Sequence, residues 1–402
     1  MGENNDVGRR SRLIEDGTML LHADLHNHSV LSDGLGDPEQ AFVQMRQAGL
    51  DVAALTDHAS IPHHRIEDLD LTQYPDEDAL ALARNAPRSF DEEGWRRTAR
   101  IADAHDVPGE FTALRGFEWT EPWLGHANVW FSDTYLAVTT PGQLAGLHEW
   151  LAVKEPNALF GYNHPGREPG RLHDFAGPDA AYLVEADTTS LRSRMVALEL
   201  FNRTYDFLFS GYRDGLSSPV LACLDAGWRP GFIGCSDEHG RSYGLAGRGR
   251  TGLWAPEHSR DGVREAMTRA QTFATRERAL RIDATLDGVR MGGELAGGVG
   301  GPRELAVDVA VTAATGSTTV SARQVLQVQV LGRGASGLPA VHGLFDVLVG
   351  EVTRFPLHLP VDAEWAFLRL ADPERPNDTP GPPGHPANAR AVAYCSPWWR
   401  EG

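Results

Sequence analysis

The sequence predicts a parallel α/β region, from about Met19 to Leu280, followed by a β-sandwich of residues 281–402. Short apolar runs alternate with helical stretches in the first region, which is typical of parallel α/β proteins. Histidines and carboxylates follow the ends of these runs, as they do where an active site lies at one face of an α/β barrel. Beyond Arg281, short Val- and Leu-rich segments favour a sandwich. Residues 1–18 are polar and are predicted to form an N-terminal tail.

The first elements show clear strand and helix signals. Met19–Leu25 has the apolar character of a strand. Asp37 and Pro38 suit the N-cap and the first position of a helix, and Gly49 suits its end. Apolar residues between these positions recur at helical spacing. Val52–Thr56 is then predicted to be the second strand.

Three further strands are predicted to end beside candidate ligands. They are Phe111–Phe117 before Glu118, Asn157–Tyr162 before His164, and Gly231–Gly234 before Asp237. The segment from Ile61 to Glu110 is polar and lacks long apolar runs, so we expect an insertion that covers or flanks the site. Within it, Glu93–His105 has the spacing of an amphipathic helix.

The C-terminal region contains five short apolar segments that we predict to be sandwich strands. They are Arg281–Leu286, Glu304–Val311, Gln324–Leu331, Phe345–Val352 and Trp365–Leu370. Gly-rich and Pro-rich turns separate them, notably at residues 292–302 and 373–386. Strands at this spacing favour a β-sandwich of about 120 residues.

The composition narrows the function classes. A formal net charge of −18 argues against nucleic acid as a partner, because phosphate-backbone binding needs a basic face. Three cysteines without a CxxC spacing argue against a disulfide framework. No signal peptide is evident, and no stretch approaches the ~20 apolar residues of a membrane span. We therefore expect a cytoplasmic protein with a small-molecule substrate and no membrane partner, and a homo-oligomer is compatible with the sequence.

The most informative feature is a set of nine potential metal ligands of the imidazole and carboxylate types. They are His26, His28, Asp33, His58, Glu118, His126, His164, Asp237 and His239. These ligand types suit Zn²⁺, Mn²⁺ or Fe²⁺. Because nine ligands exceed the needs of one ion, the sequence predicts a cluster of two or three divalent ions.

The spacing of these residues suggests their roles. His26 and His28 lie two apart on a strand, so their rings point to the same side and can bind one ion. Glu118 is suited to bridge two ions because a carboxylate has two oxygens. A hydroxide held between metal ions is a nucleophile at neutral pH, which makes Glu118 and Asp237 the catalytic candidates among the ligands. Asp57 is the third catalytic candidate and is expected to orient the neighbouring His58.

These motifs resemble those of the PHP (polymerase and histidinol phosphatase) superfamily of metal-dependent hydrolases. The superfamily motifs are similar to His26–Gly34, with His-x-His and Ser-Asp-Gly, and to Thr56–His58. Other segments are more similar to the carbaryl-hydrolase-like (CehA/McbA) branch and its DUF3604 relatives. They are Phe111–Thr120, Gly125–Val129, Pro230–His239, Gln271–Thr275 and Ala393–Trp398.

The resemblance implies a distorted (β/α)7 barrel with a metal cluster at the carboxyl ends of its strands. It also implies which residues hold each ion. The first ion would be held by His26, His28, Glu118 and Asp237, the second by Glu118, His126 and His164, and the third by Asp33, His58 and His239. Asp33 stands where some members have a histidine, and an oxygen-rich third site would favour Mn²⁺ or Fe²⁺ over Zn²⁺.

Two reactions suit such a cluster. Hydrolysis of a small phosphoester is the commonest chemistry of the superfamily, and Arg167, Arg241 and His63 are the candidate substrate-binding residues. Hydrolysis of a carbamate, ester or amide suits the closer branch, and Trp119 and Trp123 would then line an aromatic pocket. Our prediction is the phosphoester, with the acyl substrate as the alternative.

A non-catalytic structural or regulatory domain is a further alternative. Such a domain would be expected to have lost metal ligands. The sequence retains the full set, which favours an enzyme.

Overall fold

The computed structural model describes residues 7–61, 81, 84–138, 144–168, 188–312 and 319–401. Within these residues the chain has a mixed α/β fold with one large sheet, a second small sheet and few helices. The helices are α1 (Pro38–Gln47), α2 (Glu92–His105), α3 (Leu144–Val153), α4 (Thr188–Arg194), α5 (Pro219–Asp225) and α6 (Arg260–Thr268). None of the described helices is long and apolar enough to span a membrane.

The strands of the N-terminal half are β1 (Met19–Asp24), β2 (Val52–Leu55), β3 (His58–Ala59), β4 (Thr112–Glu121), β5 (Gly125–Trp130), β6 (Leu159–Tyr162), β7 (Met195–Asn202), β8 (Tyr205–Asp206), β9 (Gly231–Cys235), β10 (Arg250–Ala255) and β11 (Thr272–Thr275). Those of the C-terminal half are β12 (Leu280–Leu286), β13 (Val289–Arg290), β14 (Glu294–Leu295), β15 (Gly301–Val311), β16 (Val325–Arg333), β17 (Pro339–Leu348), β18 (Val352–Leu359), β19 (Trp365–Pro376), β20 (Ala389–Cys395) and β21 (Trp398–Arg400).

Helix α1 forms where the sequence predicts it. The Asp37 carboxylate accepts hydrogen bonds from the backbone N–H groups of Glu39 at 3.0 Å and Gln40 at 3.2 Å, while Pro38 occupies the first turn. Such an N-cap contributes about 1 kcal/mol of helix stability. Gly49 follows the C-terminus with a φ of 81°, a conformation that glycine adopts without strain.

Most strands around the candidate site are parallel. β1 pairs with β2 and β2 with β4 in parallel register, and β7 pairs with β6 and β9 in the same way. β5 lies between β4 and β6 and is antiparallel to both. Only residues 122–124 join β4 to β5, which is too short for a parallel crossover. A parallel bridge between Asn27 and Glu238 then connects the ends of β1 and β9.

Two predicted strand boundaries are wrong in an informative way. Glu118 lies within β4 rather than after it, because Trp119 and Thr120 extend the strand beyond the apolar run. The predicted strand Phe345–Val352 spans the end of β17, a turn and the start of β18. The turn is hidden in a valine-rich run, and Gly350 forms it with a φ of 106°.

The C-terminal half contributes to both sheets. β12, β13, β15 and β18 form the four-stranded sheet, whereas β16, β17, β19, β20 and β21 belong to the 17-stranded sheet. Strand β20 pairs with β11, so this large sheet continues across the predicted boundary near Leu280. Buried side chains such as Val307, Val330 and Leu368 fill one core cluster together with Leu20 of β1. The two halves therefore share both a sheet and a core.

Candidate metal centre

The backbone segments that follow β1 and β9 are hydrogen-bonded to each other, which brings three candidate ligands together. The N–H of His28 donates to the carbonyl of Glu238 at 3.0 Å, and the N–H of Asp237 donates to the carbonyl of His26 at 2.9 Å. The Nε2 atoms of His26 and His28 are 3.1 Å apart. Nε2 of His28 is also 3.2 Å from Oδ1 of Asp237. All three ligands are buried.

Glu118 lies at the centre of the cluster, and its two carboxylate oxygens face five imidazoles. Oε1 is 3.2 Å from Nε2 of His26, 3.1 Å from Nδ1 of His126 and 3.2 Å from Nε2 of His164. Oε2 is 2.8 Å from Nδ1 of His58 and 3.5 Å from Nε2 of His28. This central position is the one that the sequence predicts for a carboxylate that bridges two ions.

A second group of ligands lies on the other side of His28. Nε2 of His58 is 3.3 Å from Nε2 of His239 and 3.4 Å from Oδ1 of Asp33. Nε2 of His239 is 3.5 Å from the same Asp33 oxygen. The ring of His28 lies 4.1 Å from that of His58 and 4.0 Å from that of His239, measured between centroids. The structure thus brings all nine predicted ligands into one continuous cluster.

Hydrogen bonds at Nδ1 direct the Nε2 lone pairs of three histidines into this cluster. Nδ1 of His26 contacts Oε1 of Glu199 at 2.8 Å, and Nδ1 of His164 contacts Oε1 of Glu168 at 3.2 Å. Because the Thr120 hydroxyl donates to the Glu118 carbonyl, it is free to accept a hydrogen bond from Nδ1 of His58 at 2.7 Å. A proton fixed on Nδ1 leaves Nε2 available as a metal ligand.

The distances and the unpartnered atoms fit divalent ions. Ligand bonds of about 2.1 Å place neighbouring ligand atoms roughly 3.0–3.4 Å apart, as in the Nε2 pairs of His26 with His28 and of His58 with His239. Two lone pairs that face each other at this distance are stabilised by a cation between them. Oε2 of Glu118 is buried and accepts no hydrogen bond from the described residues, although Nδ1 of His58 lies 2.8 Å away, which also suits a metal ligand.

The charges of the cluster are strongly coupled. Burial alone would raise the pKa of Glu118, but His26, His126 and His58 hold that pKa well below its usual range. Burial, together with the nearby His58, holds the pKa of His28 well below its usual range. The cluster therefore presents an ionised carboxylate at its centre and a neutral imidazole beside it, and both are forms that bind metals.

Strained backbone is concentrated at this site. Among the described residues, eight non-glycine residues have a positive φ, and three of them lie at the cluster. They are His164 with a φ of 28°, Arg203 with 53° and Asp237 with 48°. Such conformations persist where the surrounding structure holds them, and they cluster at functional sites.

Two arginines lie beside Asp237, and only one of them was a sequence candidate. Nη1 of Arg167 is 3.4 Å from Oδ2 of Asp237, and the Arg167 side chain is 51% exposed. Nε of Arg203 donates to the carbonyl of Asp237 at 3.1 Å, and its Nη2 is 3.0 Å from Nδ1 of His239. Arg241 was the other candidate, but its Nε donates to the carbonyl of Leu35 at 3.0 Å. Arg203 therefore replaces Arg241 beside the cluster.

The roles expected of Asp57 and Trp119 differ in the structure. The buried Asp57 carboxylate accepts hydrogen bonds from the Ser29 amide at 2.7 Å and from the Ser29 and Ser32 hydroxyls at 2.8 and 2.7 Å. It fixes the loop that carries the ligands after β1, rather than His58. Trp119 is 2% exposed and belongs to the apolar core, so it does not line a pocket. His63, the remaining substrate candidate, lies outside the described residues.

Three residues at the cluster were not identified from the sequence: Glu199, Glu168 and Arg203. Glu199 could have been identified from the sequence, because it is the one charged residue in the apolar run of β7. Glu168 lies four residues after His164, and its contact depends on the turn between them. The position of Arg203 depends on the positive φ at the end of β7, which its sequence does not indicate.

One protein-family model matches part of the chain. The family model described as Protein of unknown function (DUF3604) matches residues 68–135, a stretch that includes Glu118 and His126. No curated protein matches the chain.

Three solved structures show weak similarity. One is a two-domain protein from Bacteroides vulgatus, described as containing a "predicted PHP-like metal-dependent phosphoesterase", with 17% identity, coverage of 94% of this chain and 95% of that one, and a TM-score of 0.46. Another is a candidate metal-dependent phosphoesterase from Bifidobacterium adolescentis, with 14% identity, coverage of 61% and 95%, and a TM-score of 0.32. The third is an amidohydrolase from Chromobacterium violaceum with bound sulfate and no metal, with 14% identity, coverage of 54% and 87%, and a TM-score of 0.26.

Proposed function

We propose that the chain is a metal-dependent hydrolase that acts on a small phosphoester. The observation that carries this proposal is the convergence of nine histidine and carboxylate ligands around the buried Glu118. Bound divalent ions supply a nucleophilic water at neutral pH and positive charge that stabilises the negative charge developing on the substrate. Mn²⁺, Fe²⁺ and Zn²⁺ are the ions that suit this mixture of ligands.

The described residues divide into groups that suit two or three ions. We assign the first ion to His26, His28, Glu118 and Asp237, the second to Glu118, His126 and His164, and the third to Asp33, His58 and His239. Distances of 3.1–3.5 Å between ligand atoms within each group support this division. Glu168 also lies close enough to His126 and His164 to be a further ligand of the second ion. Glu199 and Glu168 then position His26 and His164 by accepting hydrogen bonds from Nδ1.

Positive charge beside Asp237 favours a phosphoester over an acyl substrate. Arg167 is half-exposed and can contact a substrate that enters from solvent. Arg203 is held closer to the ligands through Asp237 and His239. A guanidinium offers paired N–H donors that match the oxygens of a phosphoryl group. The acyl alternative depended on an aromatic pocket that includes Trp119, but Trp119 packs in the apolar core.

The finer family and fold assignments belong to the same proposal. We propose membership of the PHP superfamily, in or near its carbaryl-hydrolase-like branch. We also propose a distorted (β/α)7 barrel, which is supported by the strand order β1-β2-β4-β5-β6-β7-β9 and by the bridge between Asn27 and Glu238. A sandwich of residues 281–402 is supported by the core between its strands. We also propose a small-molecule substrate, with neither nucleic acid nor a membrane as a partner, and this proposal is compatible with a homo-oligomer.

The direct test is a matched substrate series. The purified chain would be stripped of metal, reloaded with Mn²⁺, Fe²⁺ or Zn²⁺, and assayed on nitrophenyl phosphate, a nitrophenyl phosphodiester, nitrophenyl acetate and a nitrophenyl carbamate. We expect hydrolysis that requires metal, is fastest on a phosphoester and is lost in Glu118→Gln. Preference for the acetate or the carbamate would contradict the phosphoester proposal and support acyl hydrolysis.

A further inference from the structure

A cavity of about 630 Å³ lies away from the metal centre, where β7 and β9 begin. Its wall includes Met195 at the start of β7, Gln271 just before β11 and Trp399 of β21. Glu199, which contacts His26 of the ligand cluster, lies four positions after Met195 along β7, a separation of roughly 13 Å. The volume is within the range of about 300–1,000 Å³ that is usual for sites of small ligands, which often lie where two parts of a fold meet.

The cavity is rich in cationic hydrogen-bond donors, although the chain has a net charge of −18. Four arginines line it, whereas Glu294 is the carboxylate among the lining residues that the structure describes; the arginines are Arg192, Arg229, Arg269 and Arg290. The guanidinium of Arg290 is 4% exposed and already donates to Asp283, Asp16 and Thr18, so the other three arginines are the candidates for binding a ligand. Arg229 donates to Glu294 and to the carbonyl of Arg400, which uses two of its five N–H groups. Arg269 pairs with Glu265 at 2.9 Å and is 60% exposed, so it can reorient toward a ligand.

Neutral donors and apolar surface complete the wall. The indole Nε1 of Trp399 is buried and has no hydrogen-bond partner among the described residues. The guanidinium carbon of Arg229 lies 5.8 Å from the centroid of the Trp399 ring. Val196 and Val289 add apolar side chains to the wall.

Backbone strain at the same wall is consistent with a built site. Ala270 lines the cavity with a φ of 50°, at a position after α6 where glycine would be unstrained. A Cβ atom on Gly292 would lie 2.2 Å from the carbonyl oxygen of Ala270, so the two turns can meet only because residue 292 is glycine. The strained turn and the close contact hold both walls of the cavity in place.

We propose that this cavity binds a small organic anion, with its charged head near Arg192, Arg229 and Arg269 and its apolar body against Trp399 and the valines. The two walls come from the N-terminal and C-terminal halves of the chain, so the ligand would connect them. A ligand that binds only the folded state also stabilises that state by mass action. The site is separate from the metal centre, so this proposal does not depend on the hydrolase proposal.

The test uses probes that differ in charge but share a ring. Benzoate and phenylphosphonate carry an anionic head on an apolar body, benzyl alcohol has the body without the charge, and inorganic phosphate has the charge without the body. Binding would be measured by isothermal titration calorimetry on the full chain stripped of metal, so that phosphate and phenylphosphonate have no ions to bind at the proposed metal centre. We expect at least one of the two aromatic anions to bind, and to bind at least about tenfold more tightly than benzyl alcohol or phosphate, a difference of about 1.4 kcal/mol.

A matched pair of variants locates the binding. Thr268 is exposed on the cavity wall, so Thr268→Glu places a negative charge there and Thr268→Gln is its neutral control. We expect the anion to bind about tenfold more weakly to Thr268→Glu than to Thr268→Gln, and Glu118→Gln to leave the affinity unchanged. The proposal is overturned if neither aromatic anion binds, if benzyl alcohol or phosphate binds as tightly, if the two Thr268 variants bind equally, or if Glu118→Gln abolishes binding.

Discussion

Replacing Glu199 with glutamine should weaken metal binding without changing any ligand. The Glu199 carboxylate is fully buried and accepts three hydrogen bonds, from Nδ1 of His26 at 2.8 Å, from the amide of His164 at 2.7 Å and from Nδ2 of Asn202 at 2.9 Å. Glutamine has the same size but only one acceptor oxygen, so its NH₂ group must face at least one of these donors.

The expected loss follows from these contacts. Carboxylates that orient a metal-binding histidine typically contribute 10–100-fold in affinity, which is about 1.4–2.8 kcal/mol. A donor left unsatisfied near His164 costs a further ~1–3 kcal/mol of folding free energy. We therefore expect Glu199→Gln to bind Zn²⁺ or Mn²⁺ about 10–100-fold more weakly and to unfold at a lower denaturant concentration.

The assay is competition for the metal with a chelator of known affinity. Glu92→Gln is the matched control, because Glu92 is 64% exposed on α2 and lies away from the cluster. We expect the control to bind metal like the unaltered chain. If Glu199→Gln also retains that affinity while the protein remains folded, then Glu199 does not position His26 and our account of the centre is refuted.

Two other predictions concern substrate charge and acid stability. Arg203→Gln should lower kcat/KM on phosphoesters by roughly 10–100-fold with metal content retained, because a hydrogen bond between charged groups contributes about 1.5–3 kcal/mol. Arg241→Gln is the control and should change kcat/KM little. Equal effects of the two variants in a steady-state assay would argue against a phosphate role for Arg203. Burial lowers the pKa of His148 to about 4 from its usual 6.5, so the unfolded chain binds the proton first and stability is lost as the pH falls from 6.5 toward 4. Between pH 7 and pH 5 the free energy of unfolding should fall by about 2 kcal/mol through this residue. Urea unfolding of the metal-free chain should therefore show a smaller fall in His148→Gln than in the unaltered chain. An equal fall in both would contradict the role given to His148.

The sequence predicts the parts of the fold that depend on local signals. The Asp37-Pro38 N-cap, the apolar run of β1 and the helix near residues 92–105 lie close to their predicted positions, because capping and periodicity act within a few residues. The turn at Gly350 is missed, since the valine-rich run on either side of it has no helical or alternating period. The shared sheet is also missed, because the pairing of β11 with β20 joins distant parts of the chain.

The candidate ligands could be selected from the sequence because they occur in compact motifs. The residues that support them could not be selected in this way. The contacts of Glu199 with His26 and of Arg203 with His239 span 173 and 36 residues, so they exist only after folding. For Asp57 the sequence instead suggested a contact that does not form. Its position next to His58 suggested that it orients His58, but its carboxylate accepts hydrogen bonds from Ser29 and Ser32.

The most direct test of the metal centre is the number of ions bound per chain. The unaltered protein and Glu118→Gln would be equilibrated with Mn²⁺ or Zn²⁺, freed of unbound metal and measured by inductively coupled plasma mass spectrometry, with circular dichroism to confirm folding. We predict two or three ions in the unaltered chain and a marked loss in the variant, because Glu118 contacts five of the six histidine ligands. A folded chain without bound ions, or a variant with the full number, would contradict the account.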